Sequence, residues 1–174
     1  MTSPPDLDLA ALFRDFAPFV WRTVRRLGVA DADADDVTQE VFLVVHRRLA
    51  DFEARSSVRT WIFGICVRVA SDHRRSAYQR RERPTDALPD EVGSTSPHHE
   101  LEVSRARDQL DAALARLDDE KRAAFVLYEL EELTLAEVAA ALGCPLQTAY
   151  SRLQAARKHI TAAFARADLP RSLP

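Results

Sequence analysis

Apolar positions recur along this chain at the spacing of one helix face. Phe13, Phe16, Val20, Val24 and Leu27 mark a first amphipathic helix that stops at Gly28. Val37, Val41, Val44, Val45 and Leu49 mark a second, over residues 35–50. Asp33 or a neighbour suits its N-cap, and the adjacent carboxylates favour the positive end of its dipole. A loop from Asp51 to Arg59 leads to a third helix over 60–81, with Trp61, Ile65, Val69 and Ala70 among its apolar members. Periodicity then lapses through Pro84, Pro89 and Pro97, and His98-His99 reads as solvated loop. It resumes near Leu101, runs through Leu110, Leu114 and Leu117, breaks at Asp118-Asp119 and returns over 120–131. The pattern predicts an all-α protein of two small helical domains, residues 1–83 and 104–174, on a flexible linker at 84–103.

The stretch Leu133–Lys158 carries the most information. Val138, Ala139 and Leu142 form one short apolar stripe, which Gly143 terminates because glycine accepts the left-handed C-cap conformation. Pro145 suits the start of the next helix, where Ala149, Leu153, Ala156 and Ile160 keep a narrow face apolar. Gln147, Tyr150, Ser151, Gln154, Arg157 and Lys158 point elsewhere. Two short helices at a tight turn, with polar side chains on the second, form a helix-turn-helix, which lays its second helix in the DNA major groove. An ordinary helical hairpin with a solvated second helix has the same spacing.

Composition narrows the field. Only 4 glycines and 7% aromatics disfavour a β-rich design, and no apolar run approaches the ~20 residues of a membrane span. The N-terminus lacks the basic start and apolar core of a signal peptide. Cys66 and Cys144 have no metal-ligand spacing and read as buried thiols of a reducing cytoplasm. No paired carboxylates, nucleophile–base pair, phosphate loop or metal-ligand set stands out, so neither enzyme nor cofactor is expected. The net charge of −3 hides segregation. Residues 54–83 hold eight arginines against Asp72 and Glu82, residues 143–174 carry net +4, and 84–103 hold five acids and no base. A free-standing DNA binder is usually basic overall, because neutralised phosphates supply most of its affinity. This imbalance suggests a protein carried to DNA by something larger.

In this order the segments resemble the extracytoplasmic-function (ECF) group of bacterial RNA polymerase sigma factors. Asp35-Asp-Val-Thr-Gln-Glu-Val-Phe42 is similar to the family's polymerase-binding helix. Asp51-Phe52 through Ser56, with Arg59-Thr-Trp-Ile-Phe-Gly-Ile65, resembles its promoter-melting segment. Leu117, Ala124–Glu129 and Leu133–Lys158 resemble its C-terminal domain. The resemblance implies an alternative sigma factor that binds core RNA polymerase and directs promoter-specific initiation, with an anti-sigma factor as a further partner and no membrane insertion.

It also implies roles for particular residues. The ionic face of the second helix (Asp35, Asp36, Gln39, Glu40 and Arg47, with Phe42) is expected to dock on polymerase; a plain solvated surface would look alike. Arg55, Ser56, Ser57 and Arg59 can cradle a flipped base of the −10 element, with Trp61 beside them. Arg68 departs from the family's usual asparagine, and Arg74 and Arg75 suit phosphates. At the −35 element Gln147, Thr148, Tyr150, Ser151 and Gln154 are candidate DNA contacts, Tyr150, Ser151 and Gln154 reaching base edges, with Arg152, Arg157 and Lys158 on phosphates. Ala149 stands where the family has valine, and Tyr150 where a basic residue is frequent. The linker extends to roughly 66–72 Å, enough for the one and a half duplex turns between the two elements, on the order of 50 Å. An autonomous helix-turn-helix regulator is the alternative, but it leaves the first three helices without a task.

Overall fold

A computed structural model describes residues 8–81 and 98–167, with side chains over 8–79 and 105–166. Among these residues every regular element is helical: α1 Leu9–Arg26, α2 Ala34–Arg48, α3 Val58–Arg81, α4 His98–Ala115, α5 Asp119–Phe125 (continued by a π turn, Val126–Leu130), α6 Leu135–Leu142 and α7 Leu146–Ala167. The His98-His99 pair expected in a loop opens α4 instead, inside the stretch expected as linker. The rest of that stretch, 84–97, lies outside the described residues.

α1, α2 and α3 form one unit. Val20, Val24 and Leu27 meet Val37, Val41 and Val45, and Ile62, Phe63 and Cys66 close the core from α3. Burial pushes the Cys66 thiol far above its ordinary range. Asp8 caps α1 by accepting from the N–H groups of Ala10 and Ala11. Asp33 occupies the α2 N-cap position, but its carboxylate faces His73 at 3.1 Å rather than the helix backbone. α1 ends at Gly28 (φ +95°), where a Cβ would meet Arg122 Nη1 at 2.6 Å, so both conformation and space require glycine.

α4 to α7 form the second unit. Asp118 caps α5, accepting from the Lys121 N–H at 2.9 Å. Thr134 and Glu137 form a capping box on α6; hydrogen bonds from Thr134 hold the Glu137 carboxyl below its ordinary range. Gly143, at φ +60°, ends α6 as glycine spacing predicts. Ala149, Leu153, Ala156 and Ile160 are all buried, so α7 docks by its expected narrow face.

The two units pack along a seam in which α3 crosses α6. At Gly64 the helices come so close that an added Cβ would stand 2.9 Å from the Ala141 carbonyl oxygen. Polar contacts flank this crossing. Glu131, 4% exposed, accepts from Thr23 Oγ1 (3.1 Å) and Arg26 Nη1 (2.8 Å). Its backbone carbonyl accepts from Arg59 Nη2 at 2.7 Å. Ser71 and Arg74 both reach Asp119. Arg122, 1% exposed, donates to the carbonyls of Leu114, Ala115 and Leu117 within its own unit and to that of Leu27 across the seam.

Candidate nucleic-acid and protein interfaces

On α2, Asp36, Glu40, Leu43 and Arg47 are spaced i, i+4, i+7 and i+11, so they share one face, and all four are exposed. Gln39 is exposed alongside them. Asp35 is partly committed, accepting from Trp21 Nε1 at 2.8 Å. Phe42 does not belong to this face. It is buried and meets Phe13 edge-on at 4.8 Å, fastening α2 to α1, so its contribution is to packing. The residue that sequence reasoning missed is Leu43, 54% exposed within an otherwise ionic row. Its register, off the apolar stripe of α2, was the signal that the sequence offered.

The expected −10 residues divide into two groups. Ser57 caps α3: its Oγ accepts from the Thr60 N–H at 3.1 Å. Arg59 lies over the rings of Phe19 and Phe63, 5.0 and 5.6 Å from their centroids, while donating to Glu131. Arg74 is paired with Asp119. These three are occupied. Arg55 (paired with Glu53), Arg68 and Arg75 (3.9 Å from Asp72) are exposed, and Ser56 is half-buried. Trp61, its ring tilted against that of Phe52 at 5.1 Å, shares a side of α3 with Arg68 and Arg75 at heptad spacing. The ring is half-buried, so packing and an outward edge coexist in it.

On α7, Gln147, Tyr150, Ser151, Gln154 and Lys158 form one exposed stripe at i, i+3, i+4, i+7 and i+11. Thr148 is half-buried, and its carbonyl accepts from Ser151 Oγ at 2.9 Å. Two expected phosphate clamps are engaged within the unit: Arg152 pairs with Glu120 and Arg157 with Glu129, each at 2.6 Å. Arg157 also lies over the Tyr128 ring, and the Glu129 bond strengthens its hold on the proton. Lys158 is exposed and in no ion pair among the described residues. Gln suits the bidentate pattern of adenine, whereas lysine is a point charge for phosphate. Gln154→Ala should therefore relax preference at one base pair, by about 1–3 kcal/mol. Lys158→Ala should weaken all promoter variants alike and lower the salt slope by about one. A panel of promoter variants transcribed by each mutant holoenzyme separates the two effects, and the reverse pattern would refute this division of α7.

Comparison with known proteins bears on both units. Residues 12–81 match the model for sigma-70 region 2, and residues 107–160 that for sigma-70 region 4. The ECF RNA polymerase sigma factor SigC of Mycobacterium tuberculosis is 35% identical over 146 residues, covering 82% of this chain and 76% of that protein. RpoE of Cereibacter sphaeroides, also an ECF sigma factor, is 33% identical over 159 residues, covering 87% and 86%. Among solved structures, the sigma factor RpoE of Bartonella quintana, in complex with the anti-sigma factor NepR, superposes with a TM-score of 0.67 at 20% identity, covering 91% of this chain and 97% of that one. CnrH, in complex with the cytosolic domain of CnrY, gives 0.65 at 24%, covering 92% and 88%. At those identities the structures speak for the fold alone. With both sigma regions in order along one chain, and relatives matched over most of their length, the chain belongs to the ECF group of RNA polymerase sigma factors and is an alternative sigma factor that directs transcription initiation.

Proposed function

We propose that the three exposed faces divide the work of a sigma factor. The α2 face around Leu43 docks on core polymerase. The side of α3 bearing Trp61, Arg68 and Arg75, with Arg55 and Ser56 in the loop before it, captures the nontemplate strand as the −10 element opens. The α7 stripe reads the −35 element. The observation that carries this reading is the pairing of a readable polar stripe on α7 with a cationic side of α3. An autonomous regulator has a use for the first and none for the second.

In this reading the chain does no covalent chemistry of its own and works in the cytoplasm, where polymerase and DNA are. No helix among the described residues is long and apolar enough to cross a membrane. An anti-sigma protein is the expected inhibitor, by analogy with the RpoE–NepR complex. Permanganate footprinting on a responsive promoter tests the central step. Arg55→Ala with Ser56→Ala should leave polymerase association unchanged and reduce reactive thymines in the bubble by at least about tenfold, since two polar base contacts are worth roughly 1–3 kcal/mol each. Normal melting by the double variant would place base capture elsewhere.

A further inference from the structure

We propose that the arginine-lined cleft between α1 and α4 is a binding site for a small molecule that carries a diphosphate group. Such a site lies outside the promoter and polymerase faces assigned above and is independent of them.

The cleft is built from two helix faces. Arg22, Arg25 and Arg26 stand at i, i+3 and i+4 on α1, and Arg107 lines the same cavity from α4. Trp21, Leu110 and Leu130 supply its apolar wall, and it measures about 300 Å³. Pockets for small molecules begin at roughly that volume. A helix about 10 Å across would exhaust it within a single turn. Size therefore selects a small anion over an acidic helix of a protein partner.

Donors in this cleft outnumber the acceptors that answer them. Each guanidinium carries several N–H groups in a fixed fork, more than one carboxylate can engage. Arg25 gives Nη2 to Asp31, while its Nε is buried and meets no acceptor. Arg26 gives Nη1 to Glu131. Arg22 and Arg107 are exposed and in no ion pair among the described residues. Asp111 is the carboxylate in the lining, and it too is in no ion pair among the described residues. Desolvation raises it above the ordinary carboxyl range, against the pull of Arg25. The dipole at the end of α1 accounts for Arg25 and Arg26, which lie in its last turn. It does not account for Arg22, a turn earlier, or for Arg107, in the body of α4.

Phosphate is the anion that matches. Guanidinium forks take phosphate oxygens in pairs, and two linked phosphates offer acceptors to several arginines at once. The wall of Trp21, Leu110 and Leu130 gives an apolar surface to a ring beside the diphosphate, which is the make-up of a nucleotide. Arg25 lies over the Trp21 ring, 5.1 Å from its centroid, and so fixes the indole within that wall. Inorganic diphosphate shares the charged part alone. Arg22 comes from the first unit and Arg107 from the second, so neither unit has the site by itself.

Calorimetric titration of the full chain with inorganic diphosphate, guanosine diphosphate and adenosine diphosphate tests the site. At physiological salt at least one of them should saturate a single site with a Kd below about 100 μM. At a hundredfold excess over that Kd it should raise the melting midpoint by roughly 5–10 °C. A nucleotide at least about tenfold tighter than inorganic diphosphate makes the nucleotide the ligand; equal affinity makes it the diphosphate itself. Arg22→Ala and Arg107→Ala should each weaken binding at least about tenfold, with helicity by circular dichroism unchanged. Asp111→Asn should tighten it by about threefold or more, because a like charge leaves the cleft. Arg166→Ala removes the same charge outside the cleft and should leave the affinity unaltered. Absence of saturable binding by the wild type overturns the proposal, and that measurement needs no variant. A loss with Arg166→Ala equal to that with Arg22→Ala means diffuse attraction and overturns the site. Tighter binding of a polyglutamate peptide than of every diphosphate overturns the ligand class.

Discussion

Arg122→Met should destabilise the protein by about 3 kcal/mol and lower its melting midpoint by on the order of 10 °C. The side chain is 1% exposed and donates to four backbone carbonyls, of Leu114, Ala115, Leu117 and Leu27. Those of Leu114 and Ala115 belong to the last turn of α4, where carbonyls run out of partners within the helix; that of Leu114 also accepts from the Leu117 N–H at 3.1 Å. Methionine fills much of the volume but donates nothing, and each acceptor left buried and unpaired costs about 1–3 kcal/mol. Relief from desolvating the guanidinium offsets part of that sum. Thermal unfolding followed by circular dichroism measures the loss. A shift of only a degree or two would mean that water replaces the guanidinium at these carbonyls and that the α4–α5 turn does not need it.

Asp36→Lys with Glu40→Lys should weaken association with core polymerase by roughly 30- to 100-fold, about 2–3 kcal/mol, while the helix persists. Both carboxylates are exposed on the α2 face and neither is in an ion pair among the described residues, so their removal breaks nothing inside the chain. Lysine at Asp36, in the first turn, opposes the helix dipole at a cost of about 0.3–1 kcal/mol, too little to unfold α2 within its core. Reversing two charges at a complementary interface both removes attraction and adds repulsion. A polarisation titration against labelled core polymerase reads the change. Unaltered affinity in a folded double variant would move the docking surface off α2.

What the sequence disclosed is what obeys a helical period. Val20, Val24 and Leu27, then Val37, Val41 and Val45, then Ala149, Leu153, Ala156 and Ile160 are buried where their spacing puts them. Gly143 ends α6 for the reason glycine usually does. Departures arise where tertiary partners override a local pattern. Phe13 continues the α1 stripe, yet is 49% exposed because the stripe outruns the core that covers it. Phe42 lies in the continuous apolar run Val41–Val45, where spacing alone does not say which side chain turns outward, and it packs inward against Phe13 while Leu43 does not. Arg122 and Glu131 sit in runs of charge that read as solvent-facing, and their partners Leu27 and Arg26 lie about a hundred residues away. Periodicity reports the width of an apolar face, not the identity of a distant carbonyl. For the same reason the candidate site was legible as a set of faces, whereas the engagement of Arg59, Arg74, Arg152 and Arg157 was not.

Leu43, on the α2 face, and Phe13, at the adjoining edge of α1, are each about half exposed in the free chain. Water ordered around such surface is released when a partner covers it, and the thermodynamic mark of that release is a negative heat-capacity change. Assembly with polymerase should accordingly become more exothermic as temperature rises, whatever the ionic strength. In the proposed docking, salt would tune the charged rim and temperature the apolar pair, so a cell that warms and one that dehydrates would act on different parts of the same few residues.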